Sequence, residues 1–75
     1  MKKVLVVDDH VPSIISLIYF LDKQAYHPDF AFDGANGLNS FLNKNYDYLI
    51  LDWNMPIMNG KSFLITLDYI LTKSN

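Results

Sequence analysis

The 75-residue chain has no cysteine. That excludes a disulfide framework and any thiolate metal centre, and it fits a reducing, cytoplasmic setting. It has little charge of either sign: a formal net charge of −2, with no basic stripe, argues against direct nucleic-acid binding. It has no long hydrophobic run. The longest, IISLIYFL at 14–21, falls well short of the about 20 residues a bilayer span requires. No secretory signal is expected, because Lys2 and Lys3 lead straight into a strand-like segment with no cleavage site of small residues. What the chain does have is apolar content, 51% of its residues, which excludes disorder. The length implies one small domain that buries only about 60% of its unfolded surface, so its stability is expected to be marginal.

The apolar residues fall into alternating patterns. Val4-Leu5-Val6-Val7 is a continuous β-branched and aliphatic run, the signature of a strand covered on both faces. Pro12 suits the first turn of a helix whose stripe is Ile14, Leu17, Ile18 and Leu21. A weaker strand spans Tyr26 to Phe32, with Phe30 and Phe32 on one side and Ala31 on the other; His27-Pro28 reads as loop-like. Asp33-Gly34 is a turn signal, and Leu38, Phe41 and Leu42 form a short helical stripe that Asn45 is expected to stop. Tyr48-Leu49-Ile50-Leu51 is the second continuous apolar run, with Ile50 expected in the core. A loop with Pro56 and Gly60 follows, then a third helix on Phe63, Leu64, Leu67, Ile70 and Leu71. The order β-α-β-α-β-α predicts an α/β fold: a parallel sheet with right-handed crossovers and helices on both faces.

Both continuous runs break at carboxylates, VVDD at 6–9 and LD at 51–52. Ligands of open parallel sheets bind beyond the carboxyl ends of the strands, where strand order reverses. If the first and third strands are neighbours, Asp8, Asp9 and Asp52 converge there. Three like charges at close range either raise the carboxyl pKa values or call for a cation, and without His or Cys in the cluster a hard divalent ion such as Mg²⁺ fits best. Taken singly, an Asp after a strand more often caps a helix or a turn. His10 and His27 read as surface residues, and Trp53 is of interest only as the neighbour of Asp52.

VLVVDDH, AFDGANGL and YDYLILDWNMPIMNG together resemble the receiver domain of two-component response regulators, over the whole chain. The resemblance implies a flavodoxin-like (CheY-like) sheet truncated to three β-α units, strand order 2-1-3, as a single truncated domain over residues 1–75. It implies that Asp52 is the phosphoacceptor, receiving a phosphoryl group from a histidine kinase, a phosphotransfer protein or a small phosphodonor. It implies that Asp8 and Asp9 hold Mg²⁺ (or Mn²⁺) together with Asp52 and the backbone carbonyl of Asn54, and that the domain is a signalling module, not an enzyme. Gly60 is expected in a backbone conformation costly for other residues. The family pattern continues for two further β-α units, with a Ser or Thr and a Lys that engage the phosphoryl group. Both positions fall beyond Asn75, so phosphorylation is expected to be impaired, and Lys61 reads as a solvated helix-start residue rather than a substitute.

That reading leaves the third strand at a sheet edge and two helical flanks, Ile15 with Tyr19 and Ile65 with Tyr69, uncovered. An apolar edge strand is an association hazard. A homodimer through the third strand or through these flanks is therefore expected. The alternative function class is a phosphorylation-independent oligomerisation or interaction module.

Overall fold

A computed structural model of the chain describes residues 1–73. Six elements alternate along it: β1 (Lys3–Val7), α1 (Val11–Lys23), β2 (His27–Ala31), α2 (Gly34–Asn43), β3 (Tyr48–Leu51) and α3 (Gly60–Lys73). The three strands are parallel in the order β2-β1-β3, with Val6 opposite Phe30 on one side and Ile50 on the other.

β1 is central because its side chains satisfy two layers at once. Val4 and Val6 pack against Ile14 and Leu21 of α1, while Leu5 and Val7 join Ala31 and Met55 on the opposite face. There, α2 and α3 close the layer through Leu38, Phe63 and Leu67. The core stripe of α3 is thus Phe63, Leu67 and half-buried Ile70; Leu64 and Leu71, expected on it, are exposed.

Local chemistry sets the boundaries. α1 begins with Pro12 in its first turn and ends in a Schellman motif: the Tyr26 amide donates to the Leu21 carbonyl at 3.0 Å and the Ala25 amide to Asp22 at 3.1 Å. Ala25 occupies the left-handed position at φ 66°, where glycine is usual. Asp33 is the N-cap of α2, its carboxylate accepting the Asn36 amide at 2.7 Å. The Asp33-Gly34 signal therefore starts a helix, and that helix ends at Asn43, before the expected stop at Asn45.

Two expectations about strands are corrected. His27 and Pro28 belong to β2, not to a loop; proline is tolerated because β2 is an edge strand. Ile50 is not core but 38% exposed. Its partner across the sheet is Val6, so it shares the α1-facing side, yet α1 lies over β1 and β2 and leaves the β3 end of that face open.

Candidate functional site

The carboxyl ends of β1 and β3 bring the three acids together. β3 is tied to β1 at this end by the Asp52 amide, which donates to the Val7 carbonyl at 2.8 Å, and β1 to β2 by the Asp8 amide on Ala31 at 3.1 Å. One carboxylate oxygen from each of Asp8, Asp9 and Asp52 lies within 4.8 Å of the others. Asp8 and Asp52 are half-buried and Asp9 is exposed.

Two of the acids are partly committed. Asp8 Oδ1 accepts the His10 amide at 2.9 Å, and Asp52 Oδ1 accepts the Asn54 amide at 3.2 Å. These short-range bonds fix the carboxylates at the turn and leave their other oxygens available. No Lys side chain among the described residues pairs with any of the three; the one ion pair there, Lys44 with Asp29 at 3.7 Å, lies elsewhere. Three carboxylates at this spacing, with no protein cation beside them, form a hard oxygen donor set of the kind Mg²⁺ takes. Asn54, expected to lend its carbonyl, is exposed on the same loop.

The loop after Asp52 owes its shape to close approach. A Cβ on Gly60 would sit 2.5 Å from Trp53 Cε3 and 2.9 Å from Trp53 Cα, and the Gly60 amide donates to the Trp53 carbonyl at 3.0 Å. Gly60 is therefore needed for space, and the expectation of an unusual conformation is wrong: no glycine has positive φ. The left-handed residue of this loop is Ile57, at φ 68°, with its side chain fully in solvent. Trp53 is exposed beside the acids, and Lys61 is exposed in the first turn of α3. His10, expected as a surface residue, is exposed, and its Nδ1 lies 2.7 Å from Ser13 Oγ, closing the turn into α1.

A three-stranded 2-1-3 parallel sheet with acids at the carboxyl ends of its first and third strands defines the CheY-like class. The family model of the response regulator receiver domain matches residues 4–71, and the chain belongs to that family. Among curated proteins it is 39% identical over 61 residues to the uncharacterized transcriptional regulatory protein YcbL of Bacillus subtilis, covering 80% of this chain and 26% of YcbL. Among solved structures, Vibrio cholerae CheY4 superposes with a TM-score of 0.88 at 30% identity, covering 99% of this chain and 62% of that one. Thermotoga maritima TrrA in complex with Mg²⁺-BeF superposes at 0.85 with 36% identity, covering 97% and 61%. TrrA bound to the histidine kinase ThkA superposes at 0.79 with 33% identity, covering 100% and 61%. The chain thus spans about a quarter of the curated relative and about three fifths of the solved receiver chains. It is a receiver domain of two-component response regulators, and a purely phosphorylation-independent module is the less favoured reading. No helix among the described residues is long and apolar enough to cross a membrane.

Proposed function

We propose that Asp52 accepts the phosphoryl group and that Asp8, Asp9, Asp52 and the Asn54 carbonyl hold Mg²⁺ or Mn²⁺. The observation that carries this reading is the convergence of three carboxylates from two strands with no protein cation beside them. Asp52 is the acceptor because it alone follows β3 and lies in the LDWNMP context, while Asp8 and Asp9 are adjacent just past the end of β1. The cation, when bound, offsets the repulsion between a carboxylate nucleophile and an anionic phosphoryl group. The protein's contribution is positioning: the Asn54 amide holds one Asp52 oxygen and leaves the other to attack. A histidine kinase is the expected donor protein, as the ThkA complex of the related TrrA supports, and the cytoplasm the expected setting.

Incubation with acetyl phosphate and Mg²⁺ followed by mass spectrometry tests the assignment. A single acid-stable, base-labile phosphoryl adduct is expected, absent from Asp52→Asn. An adduct that persists in that variant means the nucleophile is another residue. Trp53 fluorescence provides a binding readout, expected to change on Mg²⁺ titration in the wild type and much less in Asp9→Asn.

A second reading concerns assembly. Residues 1–75 form one receiver unit whose apolar surface at β3 is open: Tyr48 is 51% and Ile50 38% exposed. Ile15, Tyr19, Ile65 and Tyr69 are exposed on the flanks of α1 and α3. Self-association as a two-fold dimer would cover such patches with their own copies. Sedimentation at micromolar concentration is the test; a folded monomer throughout rules the dimer out. If Ile50→Lys dissociates it and Ile65→Lys does not, the seam is the β3 edge.

A further inference from the structure

Beside the acids lies a cavity of about 340 Å³, between the start of α2 and the loop that follows β3. Its walls are Phe32, Ala35, Met55, Pro56 and Met58, so it is overwhelmingly apolar. Met58 lies directly against Gly34, where an added Cβ would fall 2.9 Å from the Met58 side chain; that close approach closes one wall. Three polar residues reach the cavity, Asp9, Asp33 and Asn36. Two of them are occupied with each other: the Asp33 carboxylate accepts the Asn36 amide at 2.7 Å and its Nδ2 at 2.8 Å. Asp9 is thus the polar group left to the cavity, and it also belongs to the carboxylate triad. The cavity and the acid site therefore adjoin at Asp9, the residue they share, with the acids on one side and the apolar walls on the other. Ile57, on the same loop, lines the cavity while its own side chain stands in solvent.

We propose that this cavity seats the hydrocarbon part of an acyl phosphate, making the receiver responsive to small phosphodonors larger than acetyl phosphate. The inference rests on Asp52 being the phosphoacceptor. The occupant follows from the two ends of the feature. The acid end, where Asp8, Asp9 and Asp52 would hold a divalent cation, would then attract a phosphoryl dianion. The apolar end is the size of a small-ligand cleft; the one charge on its wall, the Asp33 carboxylate, is engaged with Asn36 and offers a polar leaving group no cation. An acyl phosphate with a short alkyl chain has that polarity and size. In the transfer, an Asp52 carboxylate oxygen forms a bond to phosphorus as the bond from phosphorus to the acyl oxygen breaks. The electron pair leaves with the acid, which departs as its carboxylate. The aspartyl phosphate keeps the dianionic phosphoryl group, total charge is conserved, and no proton moves.

The test compares acetyl phosphate with butyryl phosphate, whose anhydride bonds are chemically alike. Each methylene fully buried in an apolar site is worth roughly fourfold, so two give at most about sixteenfold, and in a cleft open to water on one side about tenfold, in the second-order rate of labelling. We expect butyryl phosphate to label about tenfold faster, and the ratio to fall towards one in Ala35→Trp, which fills the cavity. On the unaltered protein, 2-oxopentylphosphonate, the non-transferable analogue of butyryl phosphate, is expected to shift the methyl resonances of Met55 and Met58. Equal or slower labelling by butyryl phosphate, with acetyl phosphate active, overturns the inference alone, as does a ratio of about ten without shifts at those methionines. Failure of both donors to label Asp52 overturns the phosphoacceptor reading and this inference together.

Discussion

β1 and β3 look alike in sequence and stand in different worlds. Each is a continuous apolar run that stops at an aspartate, VLVV before Asp8 and YLIL before Asp52. Every residue from Val4 to Val7 is at most 1% exposed, whereas Tyr48 and Ile50 are substantially exposed. Val6 and Ile50 are even direct partners across the sheet, on the same face. The difference is one of address, not composition: β1 has a strand on either side and a helical layer above and below, and β3 has a free edge and an uncovered half-face. The shared feature is the terminal aspartate, which joins the acid cluster; the difference is the apolar surface left open at β3.

The sharpest way to test that contrast is to place the same charge on each partner. Val6→Asp buries a carboxylate among Val4, Ile14 and Leu21 with no counter-charge. An unpaired buried charge costs several kcal/mol, enough to unfold a marginal domain. Ile50→Asp puts the charge on a face open to water, at an expected cost of about 1 kcal/mol. Circular dichroism melts distinguish the two; a fold lost in both would mean that β3 is covered in solution as β1 is. Dissociation of an assembly by Ile50→Asp, seen in sedimentation, would identify that cover as a second copy.

A second test concerns what anchors β3. Tyr46, two residues before it, stacks on Phe41 and donates its hydroxyl to Asp29 of β2 at 2.7 Å. Burial, then the hydrogen bond to Asp29 and its negative charge, pushes the Tyr46 hydroxyl from 10.0 up to about 12. The folded state therefore holds this proton more tightly than the unfolded chain does. The resulting stability is fully present below pH 10 and is lost as pH rises towards 12. Urea melts at pH 9 and 11 should show a fall in stability that Tyr46→Phe reduces. At pH 7 the same variant should lose about 1 kcal/mol, the ordinary worth of such a bond. An unchanged alkaline slope in Tyr46→Phe would assign the fall to other groups.

These contrasts also show what the sequence could and could not say. Strand order and the meeting of Asp8, Asp9 and Asp52 were legible, because a run buried on both faces and the family motifs constrain topology together. Exposure at Ile50 was not, because an apolar run reads the same in a central strand and at an uncovered edge. Gly60 was noticed for the wrong reason: a glycine kept for the bulk of Trp53 looks, in sequence, like one kept for its backbone. The left-handed positions went unread because alanine and isoleucine hold them, and nothing in those letters signals positive φ.

One of those positions yields the smallest expected effect. Ala25 is the C′ residue of α1, and the bonds from Ala25 and Tyr26 back to Asp22 and Leu21 hold it at φ 66°. A Cβ there is crowded by the backbone, a cost of about 1–2 kcal/mol that glycine does not bear. Glycine gives back about 0.5–1 kcal/mol through its freer unfolded chain. Ala25→Gly should therefore stabilise by up to about 1 kcal/mol, which for a domain of this size raises Tm by about 4–8 °C. The gain also reaches the contrast between strands, because the same turn positions Tyr26, whose ring meets Tyr48 of β3 edge-on with centroids 6.1 Å apart. If the turn holds that contact, amide exchange at the start of β3 should slow in Ala25→Gly beyond what the global gain gives. Faster exchange there, or a lower Tm, would mean that the turn relaxes away from the Schellman geometry in solution.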